Sequence, residues 1–168
     1  TSLCSGQIAR MAAMRLNDSG LADVLGLSRF VSLTHTEGCG ASGGASEELY
    51  TRTMIGYLTH PFVTCGLLLE HGCERTHNDY YREQLRERGI DMNQFGWGSV
   101  QLDGGIDRVM SRIEDWFRVT LSDHDPWPVE QHGLNALRLG LLCAGSVSDG
   151  TAAALTEITA AIVRAGGT

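Results

Sequence analysis

Three cysteines of this chain lie in short runs of small residues that read as turns: Cys4-Ser5-Gly6, Gly38-Cys39-Gly40 and Gly72-Cys73-Glu74. A thiol placed between a strand end and a helix start lies near backbone N–H groups and the positive end of the helix dipole. That setting lowers its pKa and favours a thiolate able to ligate metal or attack a substrate. His35 lies four residues before Cys39 and His71 two before Cys73, so imidazole accompanies sulfur in two of the three turns. The competing reading is that small cysteines simply fit tight turns; Cys65, in mid-strand, is read as core. His35, Glu37, His71, Glu74 and His77 also offer acid/base groups, and imidazole titrates near neutrality. A fourth cluster, Gln101-Leu102-Asp103-Gly104-Gly105, carries a diglycine whose N–H groups could hold a carboxylate at a helix amino terminus. The plainer alternative there is a tight turn with Asp103 as a cap.

Such groups cooperate only if the elements carrying them end at one place. The run Phe30-Val31-Ser32-Leu33 reads as a strand ending at His35, and Val63 to Leu69 as a second, apolar on both faces apart from Thr64. Trp97 to Leu102 reads as a third and Ala136 to Leu142 as a fourth. Helices are predicted around Ile8 to Leu16, from Ser46 as N-cap to about Thr59, from Asn78 to Arg88 with Gly89 as the stop, and from Ile106 through Phe117. A last, alanine-rich helix is predicted from about Thr151 to Ala165. Strand alternating with helix predicts an α/β fold: a three-layer, mostly parallel sheet with helices on both faces, Rossmann-like. The carboxyl ends of parallel strands share one edge, where open α/β sheets bind ligands. His35 and Glu70-His71-Gly72-Cys73-Glu74 would then face one crevice.

Domain organisation follows from the polar, proline-broken stretch 122–135. It is expected to link a first α/β domain, residues 1–121, to the opening βα unit of a further domain, residues 136–168. The first helix has no full strand before it and no initiator Met, so the chain is expected to be a piece of a longer protein.

Among 168 residues, 42% are hydrophobic and 20% charged, as in an ordinary globular protein. A formal charge of −7 disfavours nucleic acid and anionic membranes as partners, since both need a basic footprint. Apolar runs are strand-sized and no charged leader is visible, so a cytoplasmic location is the expectation. Five cysteines with no C-x-x-C pair point to thiols or metal ligands in place of disulfides.

Thr34-His35 with Gly38-Cys39-Gly40, the segment Arg52 to His60-Pro61 ahead of a strand, and then Gly72-Cys73-Glu74 together resemble the central domain of the altronate/galactarate dehydratase (altronate hydrolase) family. Leu3-Cys4-Ser5 with Ala9-Arg10, and Gln101 before Gly104-Gly105, look like that family's flanking motifs. Leu139-Gly140-Leu141 into Cys143-Ala144-Gly145 resembles the opening of its carboxy-terminal domain. The resemblance implies a hydro-lyase, a carbon–oxygen lyase that eliminates water from a sugar acid with iron(II). Metal ligands would be Cys4, Cys39 and Cys73; the catalytic groups His35, His71 and Glu74; and the substrate-binding residues Gln101, Gly104 and Gly105. Mn(II) or an iron–sulfur cluster is the alternative cofactor. The chain has Phe62 after His60-Pro61 and Glu70-His71 before Gly72, where altronate enzymes of the family tend to differ. A branch eliminating sulfite from sulfolactate therefore stays open, as does a non-catalytic structural or oligomerising domain. Expected partners are a small-molecule sugar acid and the remaining domains of the parent enzyme, and a homo-oligomer is compatible with this reading.

Overall fold

A computed structural model describes residues 3–35, 43–122 and 130–168. The chain divides into two units, Thr1–Pro126 and Trp127–Thr168. The first is a mixed α/β unit. Helix α1 spans Leu3–Asp18, the short α2 Leu21–Val24 and α3 Gly44–Leu58; strand β1 spans Gly66–Glu70, α4 Asn78–Glu87, β2 Phe95–Ser99 and α5 Ile106–Ser122.

β1 and β2 form a two-stranded parallel sheet, paired from Gly66 opposite Phe95 to Glu70 opposite Ser99, with α4 as the crossover. Helices cover both faces. On one face Leu69, with Leu67 beside it, packs with Ile8, Ala12 and Leu16 of α1 and with Val109, Met110 and Ile113 of α5. On the other, Leu68, Phe95 and Trp97 pack with Ile55 of α3 and with Tyr81 and Leu85 of α4. The alternation of Leu67, Leu68 and Leu69 between the two clusters is the period of two that a strand imposes. Among the described residues the sheet has two strands, so the observed fold is helix on both sides of a small parallel sheet.

The strand expected at Phe30–Leu33 is not one: among the described residues this segment joins no ladder. The Asn17 amide of α1 takes the place of a partner strand, accepting the Phe30 N–H at 2.8 Å and donating to the Phe30 carbonyl at 3.0 Å. Arg10 then donates to the Thr34 hydroxyl at 2.8 Å, keeping the segment beside α1. β1 begins at Gly66, later than the expected Val63, because its bounds follow the ladder; the Val63 N–H instead closes a turn onto the His60 carbonyl at 2.8 Å. β2 stops at Ser99, ahead of the expected Leu102, because the chain turns there: the Asp103 N–H donates to the Ser99 carbonyl and that of Gly105 to Val100, both at 2.8 Å. Helix α3 starts at Gly44 and not after Ser46, since Glu47 reaches back to accept the Gly43 N–H at 2.6 Å. α4 ends as expected, with Gly89 at φ 68° and the Ile90 N–H bonded to the Leu85 carbonyl.

In the second unit, α6 spans Asp149–Arg164 and is capped by Ser148, whose hydroxyl accepts the Thr151 N–H. The expected strand Ala136–Leu142 starts as a short 3-10 turn, Leu134–Ala136, and continues as irregular chain. Two hydrogen bonds nevertheless tie it to the residues after α6: the Leu139 N–H donates to the Thr168 carbonyl and the Thr168 N–H to that of Leu137. Their i to i+2 spacing is that of a parallel ladder. No helix among the described residues is long and apolar enough to cross a membrane.

Candidate functional site

Backbone hydrogen bonds continue past the ends of β1 and β2 into the two turns that follow. The Val100 N–H donates to the Glu70 carbonyl at 3.0 Å and the Gln101 N–H to the His71 carbonyl at 3.1 Å. The turn Glu70 to Glu74 therefore lies against the turn Ser99 to Gly105. At Gly72 φ is 115° and an added Cβ would come within 2.7 Å of the Gln101 Oε1. The positive φ favours glycine at that position, and a larger residue would also press on the Gln101 side chain.

Glu74 organises the first turn. Its buried carboxylate accepts the N–H groups of His71 at 2.7 Å, Gly72 at 2.8 Å and Cys73 at 3.1 Å. Three consecutive amides wrapped around one anion form a concave nest, and charge-assisted bonds of this kind are the stronger ones. The consequence is a fixed geometry for His71 and Cys73, whose Nδ1 and Sγ stand 3.5 Å apart. Just before, the Glu70 carboxylate accepts the Asn78 N–H at 2.5 Å, and the Asn78 amide donates to the Gly98 carbonyl at 2.9 Å, locking the start of α4 to both strands.

Two other elements reach this edge. In the first turn of α1 the Ser5 hydroxyl donates to the Leu69 carbonyl at 3.2 Å, which sets the neighbouring, exposed Cys4 near the end of β1. His35 reaches α3, its Nε2 lying 2.9 Å from the Tyr50 hydroxyl with the ring centroids 4.4 Å apart. Tyr50 in turn lines a cavity of about 20 Å3, room for one water, together with Glu70, Glu74, Thr76, Asn78 and Tyr81. Burial raises the Tyr50 pKa; contacts with the Tyr81 and Thr76 side chains act the other way, and the Glu74 charge reinforces the rise. Among the described residues the buried Tyr81 hydroxyl makes no hydrogen bond of good geometry, yet it is near enough to Tyr50 to influence that phenol.

Of the residues singled out from sequence, His71, Cys73, Glu74 and Gln101 thus meet in two touching turns. Cys4 is anchored to them through Ser5, and His35 through Tyr50. Glu37 and Cys39 lie outside the described residues. Gly104 and Gly105 adopt positive φ, and their N–H groups close the turn onto Gln101 and Val100, so the amides are engaged within the backbone. Asp103 accepts the Ser99 N–H at 2.8 Å and pairs with Arg112 at 2.5 Å. His77 caps α4, its Nδ1 accepting the Tyr80 N–H at 3.3 Å, and the His60 Nδ1 accepts the Phe62 N–H at 3.1 Å. Cys65 is partly buried, and burial pushes its thiol pKa up to about 11, which suits a packing role.

Among the described residues no group of three or more His, Cys, Asp and Glu side chains is assembled to hold a metal ion. What they do supply is the His71–Cys73 pair, one borderline and one soft donor within a single bite. Sequence reasoning missed Tyr50 and the placement of Arg10. A tyrosine within a helical pattern reads as core, and an exposed arginine gives no sign that it lies beside Thr34, next to His35.

No curated protein and no solved structure matches the chain. The family model for the second domain of D-galactarate dehydratase/altronate hydrolase matches residues 1–123. With that match covering most of its length, the chain belongs to the D-galactarate dehydratase/altronate hydrolase family and carries its second domain.

Proposed function

We propose that the strand-end site takes part in removing water from a sugar acid, as the hydro-lyase portion of a larger enzyme. The single observation that carries this reading is the pairing of His71 and Cys73, held by the Glu74 nest against Gln101. Such a rigid, polar strand end is the kind of place where an α/β unit binds a small ligand. Arg10, beside Thr34, brings a guanidinium suited to a carboxylate in a chain whose net charge is −7.

In the reaction proposed, His35 takes the proton next to the substrate carboxylate. The hydroxyl on the adjacent carbon leaves as water by taking up the proton that His35 has accepted, which returns the imidazole to its neutral form, and the resulting enol relaxes to a ketone. Gln101 offers an amide donor and acceptor for substrate hydroxyls. Cys73 and His71 are proposed to hold iron(II), with Cys4 and Cys39 completing the donor set. When bound, the metal would supply electrophilic stabilisation of the negative charge that develops as the proton leaves, worth several kcal/mol in such sites. Glu74 is assigned to holding the turn, because three backbone donors already occupy its carboxylate.

The test is metal analysis of protein purified without oxygen, compared across Cys39→Ala, Cys73→Ala and His71→Ala. It is run with an assay for 2-keto-3-deoxy acids over a panel of aldonates, aldarates and sulfolactate. Bound iron lost in the variants and a keto product from a sugar acid are expected. Unchanged iron in Cys39→Ala and Cys73→Ala would remove thiolate ligation, and sulfite in place of a dehydration product would move the reading to carbon–sulfur cleavage.

A further inference from the structure

The cavity of about 20 Å3 beside the Glu70–Glu74 turn is walled mostly by polar side chains. Leu68 and Leu69 supply its apolar part, and Tyr50, Glu70, Glu74, Thr76, Asn78 and Tyr81 supply the rest. An apolar cavity stays dry, whereas a polar one of this size takes a water that finds two to four partners.

Two groups in that wall lack a partner among the described residues. Tyr81 is 4% exposed, and its hydroxyl makes no hydrogen bond of good geometry. Glu70 is 8% exposed; its Oε2 accepts the Asn78 N–H, its Oε1 takes no hydrogen bond, and no Arg or His pairs with it. A phenylalanine would fill the packing role of Tyr81 among Ile55, Leu85 and Phe95 equally well. A hydroxyl buried without a partner forfeits the bonds that solvent gave it in the unfolded chain, and a carboxylate oxygen forfeits more. One water answers both: it has lone pairs for the phenol proton and protons for an oxygen that only accepts. A metal ion does not, because the Tyr81 proton needs an acceptor. Three amides also take up the Glu74 carboxylate, which leaves an ion too few oxygens.

We propose that this cavity is a one-water binding site, in which the water accepts a hydrogen bond from the Tyr81 hydroxyl and donates one to Glu70 Oε1. The bridge joins α4, which carries Tyr81, to the end of β1, which carries Glu70. It adds to the direct bond from the Asn78 N–H to Glu70, so α4 is held to the strand end at Asn78 and again one turn on. The site stands apart from the elimination reading and holds whatever the chain acts on.

The experiment is crystallography of the full chain, with rubidium chloride in the crystallisation medium, and 17O water relaxation dispersion of the same protein in solution. Density within about 3.2 Å of both Tyr81 Oη and Glu70 Oε1, with no rubidium anomalous signal, is expected in the wild type. Tyr81→Phe should lose one long-lived water from the dispersion amplitude and melt about 2–5 °C lower, the shift that one hydrogen bond gives in a chain of this size. Tyr57→Phe, at an exposed tyrosine of α3, should change neither. A wild-type cavity without density would overturn the proposal, as would a rubidium signal, which would make the occupant a cation. A Tyr81 Oη bonded directly to a protein acceptor would overturn it too. So would a Tyr81→Phe protein with the wild-type dispersion amplitude and Tm. The density test uses the wild type and decides the matter whether or not the variant folds.

Discussion

Replacing Glu74 by alanine strips the nest of its anion and exposes the reasoning about the site to a direct test. Three backbone donors, at 2.7, 2.8 and 3.1 Å, lose their acceptor together. Hydrogen bonds to a charged group contribute about 1.5–3 kcal/mol each when buried. Gly72 and Cys73 are exposed and His71 only half-buried, so water replaces part of what is lost, and the substitution also relieves the cost of burying a carboxylate. The sum is a loss of about 2–3 kcal/mol. For a chain of this size that lowers Tm by roughly 4–12 °C. Glu74→Gln keeps one carbonyl oxygen but turns an NH2 toward the remaining donors, and should cost about half as much. Thermal unfolding followed by circular dichroism gives the first readout. The second is the rate at which a thiol reagent modifies Cys73, which should change once the His71–Cys73 spacing of 3.5 Å is no longer imposed. A Glu74→Ala protein melting within about 1 °C of wild type, with Cys73 reacting at the same rate, would refute the claim that this carboxylate builds the turn.

Two further outcomes follow from packing and burial. Gly96→Ala in β2 would drive a Cβ to 2.7 Å from both Leu67 Cδ1 and Trp116 Cδ2, so overpacking should cost about 1–3 kcal/mol in urea unfolding. Gly98→Ala, whose nearest contacts would be 3.3 and 3.4 Å, should cost visibly less, and equal costs would contradict the proposed spacing of α5 against the sheet. Burial holds the Cys65 thiol at about 11 against 9.0 in the unfolded chain, so the unfolded state sheds its proton first as pH rises. The stability tied to protonated Cys65 is therefore full below pH 9.0 and lost between there and about pH 11. Cys65→Ala should flatten that fall in denaturation curves, and an identical alkaline slope in both proteins would show the thiol to be uninvolved.

Much of the helical architecture was legible in the chain because helix hydrogen bonds and caps are local. The spacing of Val109, Met110 and Ile113 and the stop at Gly89 each specify their element from within a few residues. The same holds for the chemical vocabulary of the turns: His71, Gly72, Cys73 and Glu74 are neighbours in sequence, so their meeting needed no long-range information. Strand bounds were less legible, since a strand is defined by its partner. Phe30–Leu33 has every sequence mark of a strand, yet Asn17 answers its backbone where a ladder was expected.

What only tertiary structure decided is which distant groups face one another and in what role. Glu74 reads as an acid or base in sequence; folded, its oxygens are taken up by three amides, and it becomes the core of the turn. The N–H groups of Gly104 and Gly105 read as a carboxylate cradle; folded, they close their own turn. Tyr50 reads as apolar filling; folded, it meets His35 across fifteen positions of chain. Sequence thus determined most of the helices, the reactive residue types and the family. Packing of helices on both faces of the β1–β2 sheet assigned the partners, because hydrogen bonds between remote side chains depend on where the elements come to rest, a property that no local pattern encodes.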